Sequence, residues 1–157
     1  MMTERTVTHA TFTLRRDYPA APSRVFAAFA TADGKKAWFG APDEGTEAFQ
    51  LDFRVGGHEH SEGRGPNGQM YRYDATYQDI VPNERIVYAY DMHLDDRRIS
   101  VSLATVEFRP EGGGTQLVLT EHGAYLDGLD NPRDREHGTN WLLDQLGKVL
   151  ERQAATT

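Results

Sequence analysis

The sequence contains no cysteine, which excludes disulfides and thiolate metal sites. It has no excess of positive charge. Its 17 Lys and Arg stand against 24 Asp and Glu, for a formal charge of −7. A nucleic-acid binder needs a concentrated basic surface, so no nucleic-acid partner is expected. No run approaches the roughly 20 apolar residues that span a bilayer. Met1–Arg5 lacks the apolar stretch of a secretory signal, so a soluble, cytoplasmic protein without a membrane span is expected. No Gly-x-Ser-x-Gly elbow is present. Gly112–Gly114 lies in a hairpin rather than between a strand and a helix, where a phosphate-binding loop would sit. No cofactor is expected. Hydrophobic residues make up 38% of the 157 positions, which suits one domain with one core over residues 1–157.

What is present is an order of elements. Val7–Tyr18 alternates, with Ala10, Phe12 and Leu14 on one side, as in a half-buried strand. Pro22 then suits the first turn of a helix whose buried stripe is Val25, Phe26, Phe29 and Ala30. Asp33 is expected to cap a second short helix carrying Trp38 and Phe39. Phe49, Leu51, Phe53 and Val55 alternate as a second strand that ends at Gly56-Gly57. His58–Glu62 has weak strand character, and Gly63–Gly68 reads as a loop. Tyr71–Val81, Ile86–Leu94, Arg98–Arg109 and Thr115–His122 follow as strands separated by turns, an antiparallel meander. Gly123–Asp130 reads as the loop into a closing helix, Asn131–Arg152. Asn131, Pro132 and Asp134 form its start signal. Leu142, Leu143, Leu146, Val149 and Leu150 make one apolar stripe. A helix with one such stripe must lie on the sheet. The expected class is α+β, with a curved antiparallel sheet wrapped around a long C-terminal helix and two short helices after the first strand.

Several segments then carry a resemblance. They are Pro19–Phe29, Trp38, Asp52–Gly57, Tyr77–Pro82 with Glu84-Arg85, Thr105–Phe108, Gly112–Leu117 and Gly138–Leu150. In their order and spacing the chain resembles the START-like (SRPBCC) superfamily with the helix-grip, or Bet v-like, fold. Within it, the chain is similar to the homologues of the activator of the heat-shock-protein-90 ATPase. The resemblance implies a space between sheet and helix. It does not imply one activity, because this fold serves lipid transfer, polyketide cyclisation and hormone reception alike. Many members carry Trp directly after the glycine of the last helix. Here Thr139 holds that position. Trp141 projects roughly 140° from the stripe's centre at about 100° per residue. A wider or more polar cavity floor near Thr139 is expected, with Trp141 exposed or covered by a partner.

Three readings of function follow. The first is a module that encloses a small apolar or aromatic molecule. Tyr71 and Tyr73 share one strand face with Tyr77, and Tyr88, Tyr90 and Met92 share another. Such rings offer flat surfaces and orienting hydroxyls, although cross-strand packing alone also accounts for them. Trp38, Phe53, Leu119, Thr139 and Leu143 complete the expected wall, with the loops Gly63–Gly68 and Gly123–Asp130 as gates. The second reading is a cyclase- or hydrolase-type enzyme in the same space. Glu121, on the Leu117/Leu119 side of its strand, or a tyrosine would move the proton. Alternation puts His122 on the opposite face, and Glu121 and His122 also read as surface salt-bridge groups. The third is a chaperone-regulator-like interaction domain, or a homodimer, built on Trp141. His58, His60 and Glu62 fall on one side of a strand, where His-x-His can bind a metal or form a polar strand edge. No metal is assigned. Asp91 and His93 fall on the outer face, and Arg54 and Asp79 read as ion-pair residues.

Overall fold

The computed structural model of the chain describes residues 4–39, 46–65 and 67–155. Seven antiparallel strands form one sheet in the order β1-β7-β6-β5-β4-β3-β2. They are β1 (Val7–Tyr18), β2 (Thr46–Leu51), β3 (His58–Arg64), β4 (Met70–Val81), β5 (Arg85–Leu94), β6 (Arg97–Glu111) and β7 (Gly114–Leu126). Helices α1 (Pro22–Ala30) and α2 (Ala32–Lys36) follow β1, and α3 (Pro132–Ala155) closes the chain. Among the described residues no helix is long and apolar enough to cross a membrane.

The strands from β4 to β7 are joined by tight turns whose residues fit them. Asn83 and Asp95 adopt left-handed backbone, which Asn and Asp tolerate better than most side chains. Gly112 and Gly113 both have positive φ (56° and 85°), as a two-residue hairpin turn that follows the sheet twist requires. β1 then closes against β7 over the full register from Val7 opposite Leu126 to Tyr18 opposite Thr115.

The core lies between the concave sheet face and the helices. Phe12 and Leu14 of β1, Val106 and Phe108 of β6 and Leu117 and Leu119 of β7 are buried against Val25, Phe26 and Phe29 of α1 and Leu143, Leu146, Val149 and Leu150 of α3. The α3 stripe is therefore the expected one. Its start is also as read, with Asp134 N–H donating to Asn131 Oδ1 at 2.9 Å and Asn131 Nδ2 donating back to Asp134 Oδ2 at 2.8 Å. Tyr18 Oη donates to the Leu143 carbonyl at 2.7 Å and Arg16 Nη2 to Asn140 Oδ1 at 2.8 Å, so β1 clamps the middle of α3. The Tyr18 ring packs where Gly147 has no side chain.

The structure corrects three expectations. The alternation Phe49–Val55 does not continue as strand, because β2 ends at Leu51. Residues 52–57 turn there, with Arg54 N–H bonded to the Asp52 carbonyl and Gly57 N–H to the Arg54 carbonyl. A Cβ at Gly57 would collide with the Asp52 carbonyl. The cap of α2 is Thr31, whose Oγ1 accepts from Gly34 N–H at 3.0 Å, and Asp33 stands in the first turn. Residues Gly123–Leu126 are not loop. They stay paired to both β1 and β6 as the end of β7, so only residues 127–131 connect sheet to helix.

Leu146 has no exposed surface, whereas Trp141 on the opposite side of α3 is 42% exposed. Leu146→Ala is expected to cost about 2–5 kcal/mol in urea unfolding, and Trp141→Ala less than about 0.5 kcal/mol. Similar losses in the two variants would contradict this placement of α3.

Candidate functional site

The N-terminal half of α3 does not close onto the sheet. Its stripe there is Arg135, Gly138, Thr139 and Leu142, and a cavity of about 320 Å³ opens between these residues and the sheet. Tyr71 and Tyr73 of β4, Tyr88, Tyr90 and Met92 of β5 and Leu119 and Glu121 of β7 form the sheet side. Trp38 on the α1–α2 side and Thr139 and Leu143 on α3 complete it. Of the side chains expected there, Phe53 is not in this wall. Because the chain turns after Leu51, Phe53 packs edge-on against Phe26 and Tyr77 instead. Tyr71 stands at the rim, 38% exposed. Gly63 and Arg64, at the end of β3, also line the space. Of the loop expected beyond them, Pro66 lies outside the described residues.

The tyrosines pack as a ladder. The Tyr73 and Tyr90 rings are 4.9 Å apart, Tyr88 and Tyr90 6.0 Å, and Phe39 meets Tyr73 edge-on at 5.0 Å. Burial pushes the Tyr73 and Tyr88 hydroxyls far above the ordinary phenol range, so both remain neutral donors. Neither hydroxyl bonds to another described residue, and both side chains face the cavity. Thr139 Oγ1 donates to the Arg135 carbonyl at 2.8 Å. Thr139 lines the cavity, but its hydroxyl is already used within the helix.

Besides Arg64 at the exposed rim, two cations line the cavity, Lys35 and Arg135, and neither was legible as inward. Lys35 is 2% exposed and donates to Glu59 Oε1 at 3.0 Å. Tyr77 Oη donates to the same oxygen at 2.5 Å. The rings of Phe29, Trp38, Phe39 and Tyr88 surround the ammonium at 4.5–5.8 Å, which adds cation–π attraction in a desolvated place. Gly34-Lys35-Lys36 reads as a solvated turn. The signal was that Lys35, Trp38 and Phe39 stand at i, i+3 and i+4, on one helix face.

Arg135 organises the opposite end. Its Nη2 donates to Ser100 Oγ and Asp130 Oδ2, both at 2.6 Å, and its Nη1 donates to Tyr90 Oη at 3.0 Å. Tyr90 Oη in turn donates to Glu121 Oε2 at 2.9 Å. Glu121 is 2% exposed and 3.9 Å from Arg135. Burial pushes the Glu121 carboxyl above the ordinary glutamate value, against the pull of Tyr90 and Arg135. Burial also works against the Arg135 charge, but Tyr90, Asp130 and Glu121 outweigh it. The Tyr125 ring lies across Gly123, where a side chain would collide with it, and stacks near the guanidinium.

The remaining candidates lie outside this wall, except Glu62, which reaches its rim. His60 Nδ1 is 2.5 Å from Asp74 Oδ1 and its Nε2 is 3.4 Å from Glu62, while His58 Nδ1 meets Thr76 Oγ1 at 3.1 Å. His58, His60 and Glu62 thus do not converge. Asp74, Asp91 and His93 do lie together, but Asp74 is held by His60 and Asp91 by Arg98. Arg54 pairs with Asp52, and Asp79 with Arg85 across the β4–β5 turn. His122 points outward to Thr11.

Two measurements follow from this charge arrangement. Lys35→Met leaves Glu59 buried without its cation and is expected to cost about 3–5 kcal/mol, with Glu59→Gln added to it restoring much of the loss. Equal stability of the single and double variants would contradict the buried pair. The Asp74 hydrogen bond raises the His60 pKa above 6.5. Its stabilisation is full below the unfolded-state value and fades as pH rises through the folded one. An NMR titration should show this elevation, and Asp74→Asn should remove it.

Comparison with known proteins agrees with the geometry. A structure of an uncharacterised protein from Rhizobium leguminosarum is 43% identical, covers 96% of this chain and 99% of its own, and superposes with a TM-score of 0.92. A protein from Rhizobium loti is 45% identical over 91% of this chain and 98% of its own, with a TM-score of 0.85. One from Chromobacterium violaceum shares 26% identity over 90% and 96% of the two chains, with a TM-score of 0.77. No curated protein matches the chain. The sequence pattern of the Activator of Hsp90 ATPase homolog 1-like family matches residues 19–151, and with that match and the helix-grip architecture the chain belongs to this family.

Proposed function

We propose that the protein is a binding module that encloses one small apolar or aromatic molecule between α3 and the sheet. The observation that carries this reading is the cavity of about 320 Å³ with its aromatic wall. Apolar surface moved there from water contributes roughly 25 cal/mol per Å². The Tyr73 and Tyr88 hydroxyls, which no other described residue engages, would orient the guest. Trp38, Met92, Leu119 and Leu143 supply its apolar contacts, with Tyr71 at the mouth. Enclosure is the mechanism, and no step of chemistry is required for it.

The uncharged fluorophore N-phenyl-1-naphthylamine tests the reading. Its emission should rise on binding to the wild-type protein. Thr139→Trp, which returns bulk to the cavity floor, should weaken it by at least about tenfold, or 1.4 kcal/mol, with folding retained. No binding to the wild type, or equal binding to the variant, would contradict enclosure at this place.

A second reading rests on Trp141, which is 42% exposed on the far side of α3. Exposed tryptophans often anchor interfaces, so this face suits a protein partner or a second copy of the chain. Sedimentation of wild type against Trp141→Ala decides between self-association through this residue and a monomer.

A further inference from the structure

We infer that the cavity selects uncharged ligands bearing a carbonyl-type oxygen, which Glu121 binds as a protonated carboxylic acid through Oε1. This rests on the enclosure proposed above and names the chemistry of the guest.

One hydrogen-bond chain has a fixed direction. A guanidinium only donates. Arg135 Nη1 therefore donates to Tyr90 Oη, and the single Tyr90 proton goes to Glu121 Oε2. That fixes Oε2 as an acceptor, so any proton on this carboxyl sits on Oε1. Oε1 has no partner among the described residues, yet it is not sealed off as the buried, unpartnered Glu59 Oε2 is. Glu121 lines the cavity, so the surface left to Oε1 faces the guest.

Charge matching gives the second line. Lys35 is matched by Glu59 at 3.0 Å and Arg135 by Asp130 at 2.6 Å. Glu121 lies farther from Arg135, at 3.9 Å. As a carboxylate it would leave one surplus negative charge in an apolar space, and protonation removes it. The groups that face it supply no other cation, and the third cation of the lining, Arg64, stands exposed at the rim. Tyr88 and Tyr90 face it from β5, Tyr125 follows it along β7, Asp130 stands in the preceding loop and Arg135 on α3. On neighbouring strands it is registered with Phe12 of β1 and Ala104 of β6. At the rim, Glu62 is paired with His60, Asp134 with Asn131, and Arg64 donates to the Gly68 carbonyl. An anionic guest would find both inner cations occupied. A cationic guest would face Lys35 and Arg135. An uncharged guest whose oxygen accepts from Oε1–H meets neither cost. Burial moves the Glu121 carboxyl in the direction that favours a proton.

The test uses two probes of nearly the same shape, 2-acetylnaphthalene and 2-ethylnaphthalene, titrated calorimetrically from about pH 5 to about pH 8. In the wild type, ketone affinity should fall about tenfold per pH unit above the Glu121 pKa, with one proton taken up on binding. Glu121→Gln keeps a donor in place of the acid and should hold the ketone with an affinity that no longer changes with pH. The hydrocarbon should be indifferent to pH in both proteins. Ketone affinity that stays level in the wild type, or falls equally in Glu121→Gln, would overturn the inference. So would binding of the hydrocarbon but not the ketone, which would leave enclosure standing. If neither probe binds, enclosure itself fails, and the inference with it.

Discussion

The molecule depends on how one helix is held over one sheet. The C-terminal half of the α3 stripe is Leu143, Leu146, Val149 and Leu150, all buried, and these side chains bring the helix down onto β1, β6 and β7. The N-terminal half replaces that bulk with Gly138 and Thr139, which cannot fill the same depth, while the long Arg135 side chain reaches across to Tyr90 and Ser100. A rigid helix seated at one end must then stand off at the other. The cavity is the space that this difference leaves. It persists because α3 is tied at both levels, by Tyr18 and Arg16 to its middle and by Arg135 to Ser100, Asp130 and Tyr90 near its start.

Polar groups in that space are costly unless paired. Two ion pairs, one buried and one half-buried, meet this demand in different ways. Lys35 and Glu59 sit in an aromatic shell with Tyr77, closing the α2 end. Arg135 spreads its donors over a hydroxyl, a phenol and a carboxylate, closing the α3 end. Between them the wall is rings and aliphatic side chains. That division, apolar in the middle with paired charges at the poles, suits the enclosure proposed above.

Most of the architecture was legible in the sequence because periodicity reports burial. The α3 stripe, its Asn131 cap, the hairpin turns and the exposed Trp141 all follow from spacing and turn chemistry. Glu121 was legible as inward by alternation from Leu117 and Leu119. Phe53 was misjudged because alternation persists in the letters after the backbone has turned at Asp52, and a turn residue can still bury its ring. Gly123–Leu126 read as loop because glycine and polar neighbours mimic one. In fact Gly123 is part of β7 and makes room for the Tyr125 ring. Lys35 and Arg135 were missed because charged residues on helices usually face water. Only their position in the apolar stripe marked them as inward, and only tertiary structure supplied Glu59 and Asp130 as their partners. The relatives from Rhizobium share the fold at 43–45% identity, and the proposal of a guest rests on the wall of this cavity.

The most direct measurement is NMR of the protein with labelled Leu and Met methyls and bound N-phenyl-1-naphthylamine. Enclosure predicts intermolecular NOEs from the probe to Met92, Leu119 and Leu143. NOEs to the exposed Leu103 instead, with those three silent, would contradict it.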